Sequence, residues 1–220
     1  MPREIVTIQV GQCGNQIGWR FWDLLLREHA LHATNATYDE PMSTFFMNDE
    51  GGRVEGGGAV GRKIKKLKAR AVLVDTETGV LNATMKSQIG EIFYAAQFVA
   101  DVYGSGNNWA HGYHEYGGKY REEVMEKVRR TTEQCDSLQS FFLLHSLGGG
   151  TGSGLGSAIL EALADDYKEV YRFTASVMPS DDDDVVTSPY NSVFATRHLI
   201  EYADCVLPIE NQALQMVCNS

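Results

Sequence analysis

The sequence predicts an α/β fold, a three-layer Rossmann-like and mostly parallel sheet flanked by helices. Three observations carry that prediction. Short apolar or β-branched runs recur along the chain, each stops at a loop rich in glycine or polar residues, and each loop is followed by apolar residues at helical spacing. Strands that alternate with helices pair in parallel through right-handed crossovers. Their C-terminal ends then lie along one edge, and ligands of such open sheets bind in the crevice outside it.

The first unit opens with Ile5 to Val10 and stops at Gly11-Gln12-Cys13-Gly14-Asn15-Gln16-Ile17-Gly18, which reads as a glycine-bearing polar turn. Ile17, Phe21, Leu24 and Leu25 then fall at helical spacing to about His29. Gln12 and Asn15 are placed to reach a ligand from that turn, and Asn15 reads as readily as a helix cap. Cys13 has no histidine nearby in sequence and reads as a small packed residue.

Periodicity fails from Leu31 to Gly61, and Gly51 to Gly61 holds six glycines, so residues 31–66 read as a long, variable surface loop. Arg62, Lys63, Lys65, Lys66, Lys68 and Arg70 form a basic run before the apolar strand Ala71-Val72-Leu73-Val74. That run fits a solvated face or a contact for an acidic partner. Asp75 closes the strand, and with Glu77 it sets two carboxylates beside a turn. Carboxylates so placed hold Mg²⁺, directly or through water, when phosphates lie close; otherwise they are ordinary turn residues. A third unit follows, with a strand around Phe98 to Val102, the loop Gly104-Ser105-Gly106-Asn107-Asn108-Trp109, and a helix marked by Tyr120, Val124, Val128 and Thr131. His111 and His114 lack a nearby third ligand and read as exposed loop histidines.

The central stretch is Gly148-Gly149-Gly150-Thr151-Gly152-Ser153-Gly154, between the apolar run Phe141-Phe142-Leu143-Leu144 and a helix outlined by Leu155, Ile159, Ala162 and Leu163. Five of its seven residues lack a Cβ, so successive backbone N–H groups can approach a polyphosphate closely. Thr151 and Ser153 add hydroxyl donors, and the following helix aims its positive end at the anion. The stretch has neither the lysine of the G-x-x-x-x-G-K-[ST] pattern nor G-x-G-x-x-G spacing. Phosphate charge therefore falls to amides, a helix dipole and Mg²⁺. His145, flanked by apolar residues, reads as a satisfied core histidine.

Beyond it, Tyr171, Phe173, Ala175 and Val177 alternate with Arg172, Thr174 and Ser176, which predicts a half-buried strand. Pro179-Ser180-Asp181-Asp182-Asp183-Asp184 forms its loop, where one aspartate is placed to face a sugar or a metal. Val193, Thr196, Ile200 and Ala203 predict a helix, Cys205 to Ile209 a last strand, and Glu210-Asn211-Gln212 its terminal loop. Six loops should thus converge on one edge.

With 220 residues, 43% hydrophobic and 22% charged, the chain can bury a sizeable core. A net charge of -10 argues against a nucleic-acid partner, which needs a basic face. Cys13, Cys135, Cys205 and Cys218 form no C-x-x-C pair, so reduced thiols in the cytoplasm fit better than a zinc site or a disulfide framework. The N-terminus shows no apolar signal region, and no apolar run approaches the ~18 residues that span a bilayer, so no membrane association is expected.

The order Gly11-Gln12-Cys13-Gly14-Asn15-Gln16, Gly104 to Ala110, Gly148 to Gly154 and Ser188-Pro189-Tyr190-Asn191-Ser192 resembles the tubulin superfamily over nearly the whole chain, least across Leu31 to Lys66. The segments Phe21 to Ala30, Val170 to Phe173 and Ala203 to Ile209 are most similar to its epsilon branch. The resemblance implies a tubulin/FtsZ-type GTPase domain over residues 1–220 that binds GTP or GDP with Mg²⁺. It implies tubulin-family subunits and microtubule or centriole proteins as partners, and a cytoskeletal location at the centrosome, centriole or basal body. It also implies site roles. Gln12 and Cys13 would touch phosphate, Asp75 and Glu77 the metal, and Ser105, Gly106 and Asn107 the γ-phosphate side. Ser146 with Gly149, Gly150, Thr151, Gly152 and Ser153 would hold the phosphate chain, and Asp184 and Asn211 would reach ribose and guanine. Ser188 stands where α- and β-tubulins carry an acidic ribose contact. In the family a long core helix and a second domain follow, carrying the acid that completes a neighbour's site, so this chain reads as an N-terminal piece with hydrolysis expected only on assembly. A nucleotide-free interaction module of the same fold and a Rossmann oxidoreductase are the alternatives, the latter lacking its glycine fingerprint.

Overall fold

The structure, a computed structural model, describes residues 3–32, 35–49, 54–55, 60–180 and 183–219. In chain order its elements are β1 (Glu4–Val10), α1 (Gly11–His32), α2 (Glu40–Phe45), β2 (Phe46–Asp49), β3 (Val54–Glu55), β4 (Leu67–Ala69), β5 (Ala71–Asp75) and α3 (Thr78–Lys86). There follow β6 (Phe98–Ala100), α4 (Gly117–Thr132), β7 (Leu138–Ser146), α5 (Gly156–Asp166), β8 (Tyr171–Met178), α6 (Ser188–Tyr202), β9 (Cys205–Glu210) and α7 (Asn211–Cys218). Helices α4 and α5 are each entered through a π-helical turn, His111–Tyr116 and Thr151–Leu155.

Six strands form one sheet in the order β6-β5-β1-β7-β8-β9, and every pairing is parallel. The predicted fold class is the observed one. The pleat sends alternate residues to two cores. On one face Val6, Ile8, Val10, Phe141 and Leu143 meet Val124 and Val128 of α4, Ile159 and Leu163 of α5, and Leu199 of α6. On the other, Ala71 and Leu73 meet Trp22 of α1 and Phe46, with Trp22 edge-on to Phe45, Phe46 and Phe93.

Several local expectations are corrected. No loop separates β1 from α1: Gly11, at φ 75°, turns the chain directly into the helix, and the supposed turn is its first two windings. Close packing explains those glycines, since a Cβ at Gly14 would lie 2.2 Å from the Leu144 carbonyl oxygen. The large side chain that α1 buries fully is Trp22; Phe21 and Leu25 pack against the same core as predicted, while Leu24 is 58% exposed. The predicted loop 31–66 contains α2, capped by Asp39 accepting from the Met42 N–H, and strands β2 and β3, which with β4 just after it form a three-stranded sheet β3-β2-β4 with β2 antiparallel to both neighbours. Residues 33–34, 50–53 and 56–59, which take in much of its glycine-rich part, lie outside the described residues.

Within the basic run, Lys68 and Arg70 are buried. Lys68 donates to the carbonyls of Glu91 and Phe93, and Arg70 lies 3.6 Å from the buried Glu4 carboxylate. The strand of the third unit ends at Ala100, and His111 and His114 sit in a π-helical turn instead of a loop, His111 paired with Glu115 at 2.8 Å. In β8 the polar residues Thr174 and Ser176 are fully buried, whereas Tyr171 and Phe173 are exposed. Helix α6 turns Asn191, Ala195, His198 and Leu199 inward and leaves Val193 and Ile200 in solvent. Glu210 ends β9 and α7 starts at Asn211, so no loop lies there. His145 is a satisfied core histidine, buried with both ring nitrogens bonded.

Candidate functional site

A parallel sheet brings every strand's carboxyl end to one edge. There, the residues after β1, β5, β6 and β7 enclose a single cavity of about 430 Å³. The start of α1 contributes Gln12, Cys13 and Gln16; the end of β5 contributes Asp75 and Glu77; the β6 loop contributes Ser105, Gly106 and Asn107. Ser146, Gly149, Gly150, Thr151 and Gly152 complete the lining. The positive ends of α1 and of the helical run beginning at Thr151 therefore lie at the cavity.

Its walls are held by side chains that tie the loops to one another. Thr151 Oγ1 lies 2.7 Å from Thr76 Oγ1 and 2.9 Å from Ser105 Oγ, linking the ends of β5, β6 and β7. Asn191 of α6 is buried and donates to the carbonyls of Asn107 and Gly148 while accepting from the Trp109 N–H at 2.9 Å. Asn107 itself has φ 54°, the left-handed conformation in which asparagine is tolerated. The glycines serve two different purposes. A Cβ at Gly150 would lie 2.4 Å from Ser105 Oγ and 2.5 Å from the Asn108 nitrogen, so that glycine is required by loop packing. At Gly149 a Cβ would meet nothing closer than 3.8 Å, and its neighbours there are the cavity-lining Ser146 and Asn107.

Among the described residues, no lysine, arginine or histidine lines the cavity. Its titratable groups are Asp75, Glu77 and Cys13. Burial pushes the Asp75 carboxyl up to about 6, and its Oδ2 is buried without a hydrogen-bond partner. Glu77 is exposed and leans on the β6 loop, where a Cβ on Gly104 would lie 2.4 Å from its Oε1. An orphaned carboxylate oxygen beside a second carboxylate suits a hard divalent cation that takes its remaining ligands from water or phosphate oxygens. No cluster of three or more acidic, histidine or cysteine groups exists among the described residues, so an all-protein metal cage is not the design. Burial raises the Cys13 thiol, which keeps it protonated and poorly nucleophilic.

Of the site residues that the family resemblance implies, all but three line this cavity. Ser153 is fully buried and its hydroxyl donates to the Gly149 carbonyl, so it braces the loop from within. Asp184 and Asn211 are exposed and lie outside the lining; it is Asp183 that binds into the edge, its Oδ2 accepting from Ser188 Oγ at 2.6 Å. Asn15 is buried and donates to the carbonyls of Gly11 and Val74, joining α1 to β5 without reaching the cavity. Gln16 was missed. It follows Gln12 by four residues, which places both on one face once the segment is helical.

Fold and crevice together define a parallel-sheet α/β domain with a polar cavity at the carboxyl edge of the strands. The chain belongs to the tubulin/FtsZ family, whose GTPase-domain model matches residues 4–219. It is 53% identical over 212 residues to the tubulin epsilon chains of Mus musculus and Homo sapiens, covering 96% of this chain and 45% of each relative. Identity to the tubulin beta-1 chain of Mus musculus is 40% over 223 residues, covering 98% of this chain and 47% of that one. The chain is thus more like epsilon than beta-1 tubulin, and it spans about half the length of these relatives.

Proposed function

We propose that the cavity binds a guanine nucleotide with Mg²⁺, and that the chain acts as the nucleotide-binding part of an epsilon-type tubulin. The observation that carries this reading is the convergence of residues from the ends of four strands on one cavity in which Asp75 Oδ2 has no protein partner. Phosphates would lie against the glycine loop and the two helix N-termini. Asp75 and Glu77 would hold the Mg²⁺, which would supply the positive charge that the lining lacks. In this reading the partners are other tubulin-family subunits, and the place of action is the cytoskeleton at centriole or basal body.

Calorimetry with Mg-GTP, with and without EDTA, tests the binding. Mass spectrometry of nucleotide released from the purified chain distinguishes the alternatives: GTP or GDP supports the proposal, NAD(P) points to an oxidoreductase, and no released nucleotide together with no binding points to an interaction module.

A further inference from the structure

His145 stands at the end of β7, one residue before the cavity wall, and is 1% exposed. Its Nδ1 lies 2.9 Å from the Gly152 carbonyl oxygen and its Nε2 lies 2.8 Å from Ser176 Oγ on β8. A carbonyl oxygen only accepts, so Nδ1 must carry the proton, and Nε2 then accepts from the serine hydroxyl. Burial holds the imidazole near a pKa of 4, so it is neutral at physiological pH and has a single tautomer to offer.

The bonded carbonyl belongs to a residue of the cavity lining, inside the π-helical turn that opens the helical run toward α5. A peptide group is planar, so the direction of the Gly152 carbonyl fixes the opposite direction of the following N–H. Glycine imposes little barrier of its own against the alternative orientation. Turned toward the cavity, the carbonyl would present a negative oxygen to an anion. The ring has no freedom to drift: a Cβ on Gly156 would sit 3.0 Å from Nδ1 on one side, and Ser176 holds the other.

We infer that His145 is a positioning residue for the phosphate loop, its Nδ1–H keeping the Gly152 carbonyl in the interior so that the loop shows the ligand amide hydrogens instead of an oxygen. This rests on the nucleotide reading above. The test uses the isosteric difference between two amides. Asparagine places its side-chain N–H near the position of Nδ1, whereas glutamine places it near Nε2.

Mg-GTP affinity is measured by calorimetry for the 220-residue chain and for His145→Asn and His145→Gln, with melting temperatures taken without nucleotide. His145→Asn should bind within roughly threefold of the parent, while His145→Gln should bind at least about tenfold more weakly, a loss well beyond what its lowered melting temperature accounts for, because a buried carbonyl of the loop loses its donor. Nitrogen-15 NMR of the parent imidazole should show the Nδ1–H tautomer. Equal affinity in both variants, losses that simply follow melting temperature, or an Nε2–H tautomer would overturn the inference while leaving nucleotide binding intact. No binding by the parent chain would overturn the nucleotide reading itself and this inference with it.

Discussion

At Asp75 the protein holds a carboxylate where burial disfavours its charge. The folded state keeps the proton up to about pH 6, against an ordinary carboxyl value of ~3.9 in the unfolded chain. Between those values the folded state binds more protons at this group, so the contribution of Asp75 to ligand-free stability is greatest below about pH 4, falls as pH rises to about 6, and is flat above. Asp75→Asn should therefore melt higher than the parent at pH 7 without ligand, by roughly 1–2 kcal/mol, with the gap closing below about pH 4. With Mg-GTP the order should reverse, because the variant loses the metal's anchor; calorimetric scans at pH 4 and 7 with and without Mg-GTP read both effects, and a less stable apo variant at pH 7 would sink the idea. The glycines give a second residue-scale prediction. Gly150→Val should lower the melting temperature by overpacking Ser105 and Asn108, at a cost of ~1–3 kcal/mol. Gly149→Val should leave melting unchanged and weaken Mg-GTP binding at least about tenfold, since its side chain enters open cavity space instead of protein. Asp75 and Glu77 were legible in the sequence because a strand's end and a turn fix where they stand. Ser153 was not, because a hydroxyl in a glycine loop reads the same whether it faces a ligand or the loop's own Gly149 carbonyl.

Elements were legible where periodicity ran beside an uninterrupted apolar strand. The helix of Leu155, Ile159, Ala162 and Leu163 is inward on those four residues, and β7 is buried as its composition demands. Reading failed where the inward face is not the apolar one. Helix α6 buries Asn191 because its partners include the loops after β6 and β7, whose backbone groups need donors and acceptors that valine and isoleucine lack, and it buries His198 because that ring packs on Trp109 and Tyr113 with its Nδ1 bonded to the Phe194 carbonyl of the same helix. Ser176 is likewise buried for a polar partner, here the His145 ring. The glycines of Gly11 to Gly18 misled by suggesting a turn, when small residues let α1 approach the sheet; a Cβ at Gly18 would overlap the Gln9 side chain. The role of Asn191 is testable at this scale. Asn191→Ala leaves the Trp109 N–H and the Gly148 carbonyl without their partner in the interior, which should cost roughly 2–6 kcal/mol at ~1–3 kcal/mol for each unsatisfied group. Hydrogen exchange should accelerate at residues 105–109 and 148–150 and stay unchanged in the middle of α1. Uniform acceleration would show that Asn191 supports general packing and not these two loops.

Taken whole, the molecule has a well-packed edge at the carboxyl ends of β5, β6, β1 and β7 and an incompletely covered sheet face toward β9. Tyr171 and Phe173 of β8, Leu207 of β9, and Leu214, Met216 and Val217 of α7 are exposed, and no residue of α7 is buried. Apolar area of that kind drives association, so the isolated chain should self-associate as its concentration rises. The cavity has a complementary gap in its chemistry. Hydrolysis of a bound nucleotide needs a group that orients or activates water near the γ-phosphate. The lining offers Asp75 and Glu77, which the proposal assigns to the metal, and Cys13, whose thiol burial keeps protonated. Gln12 and Gln16 can orient a water but cannot take its proton, so in the absence of a free acid beside them they should support little turnover. Binding and turnover should therefore separate: the chain should hold Mg-GTP and release phosphate no faster than buffer at dilute concentration, consistent with the family resemblance in which the acid comes from an adjoining subunit. Labelled GTP incubated with the chain across a concentration series decides this, alongside sedimentation of the same samples. Release that stays at the buffer level while the chain is monomeric supports the separation. Release well above buffer, independent of concentration and abolished by Gly149→Val, would place a competent water-activating group within this one cavity, with Glu77, exposed at its rim, the first residue to replace.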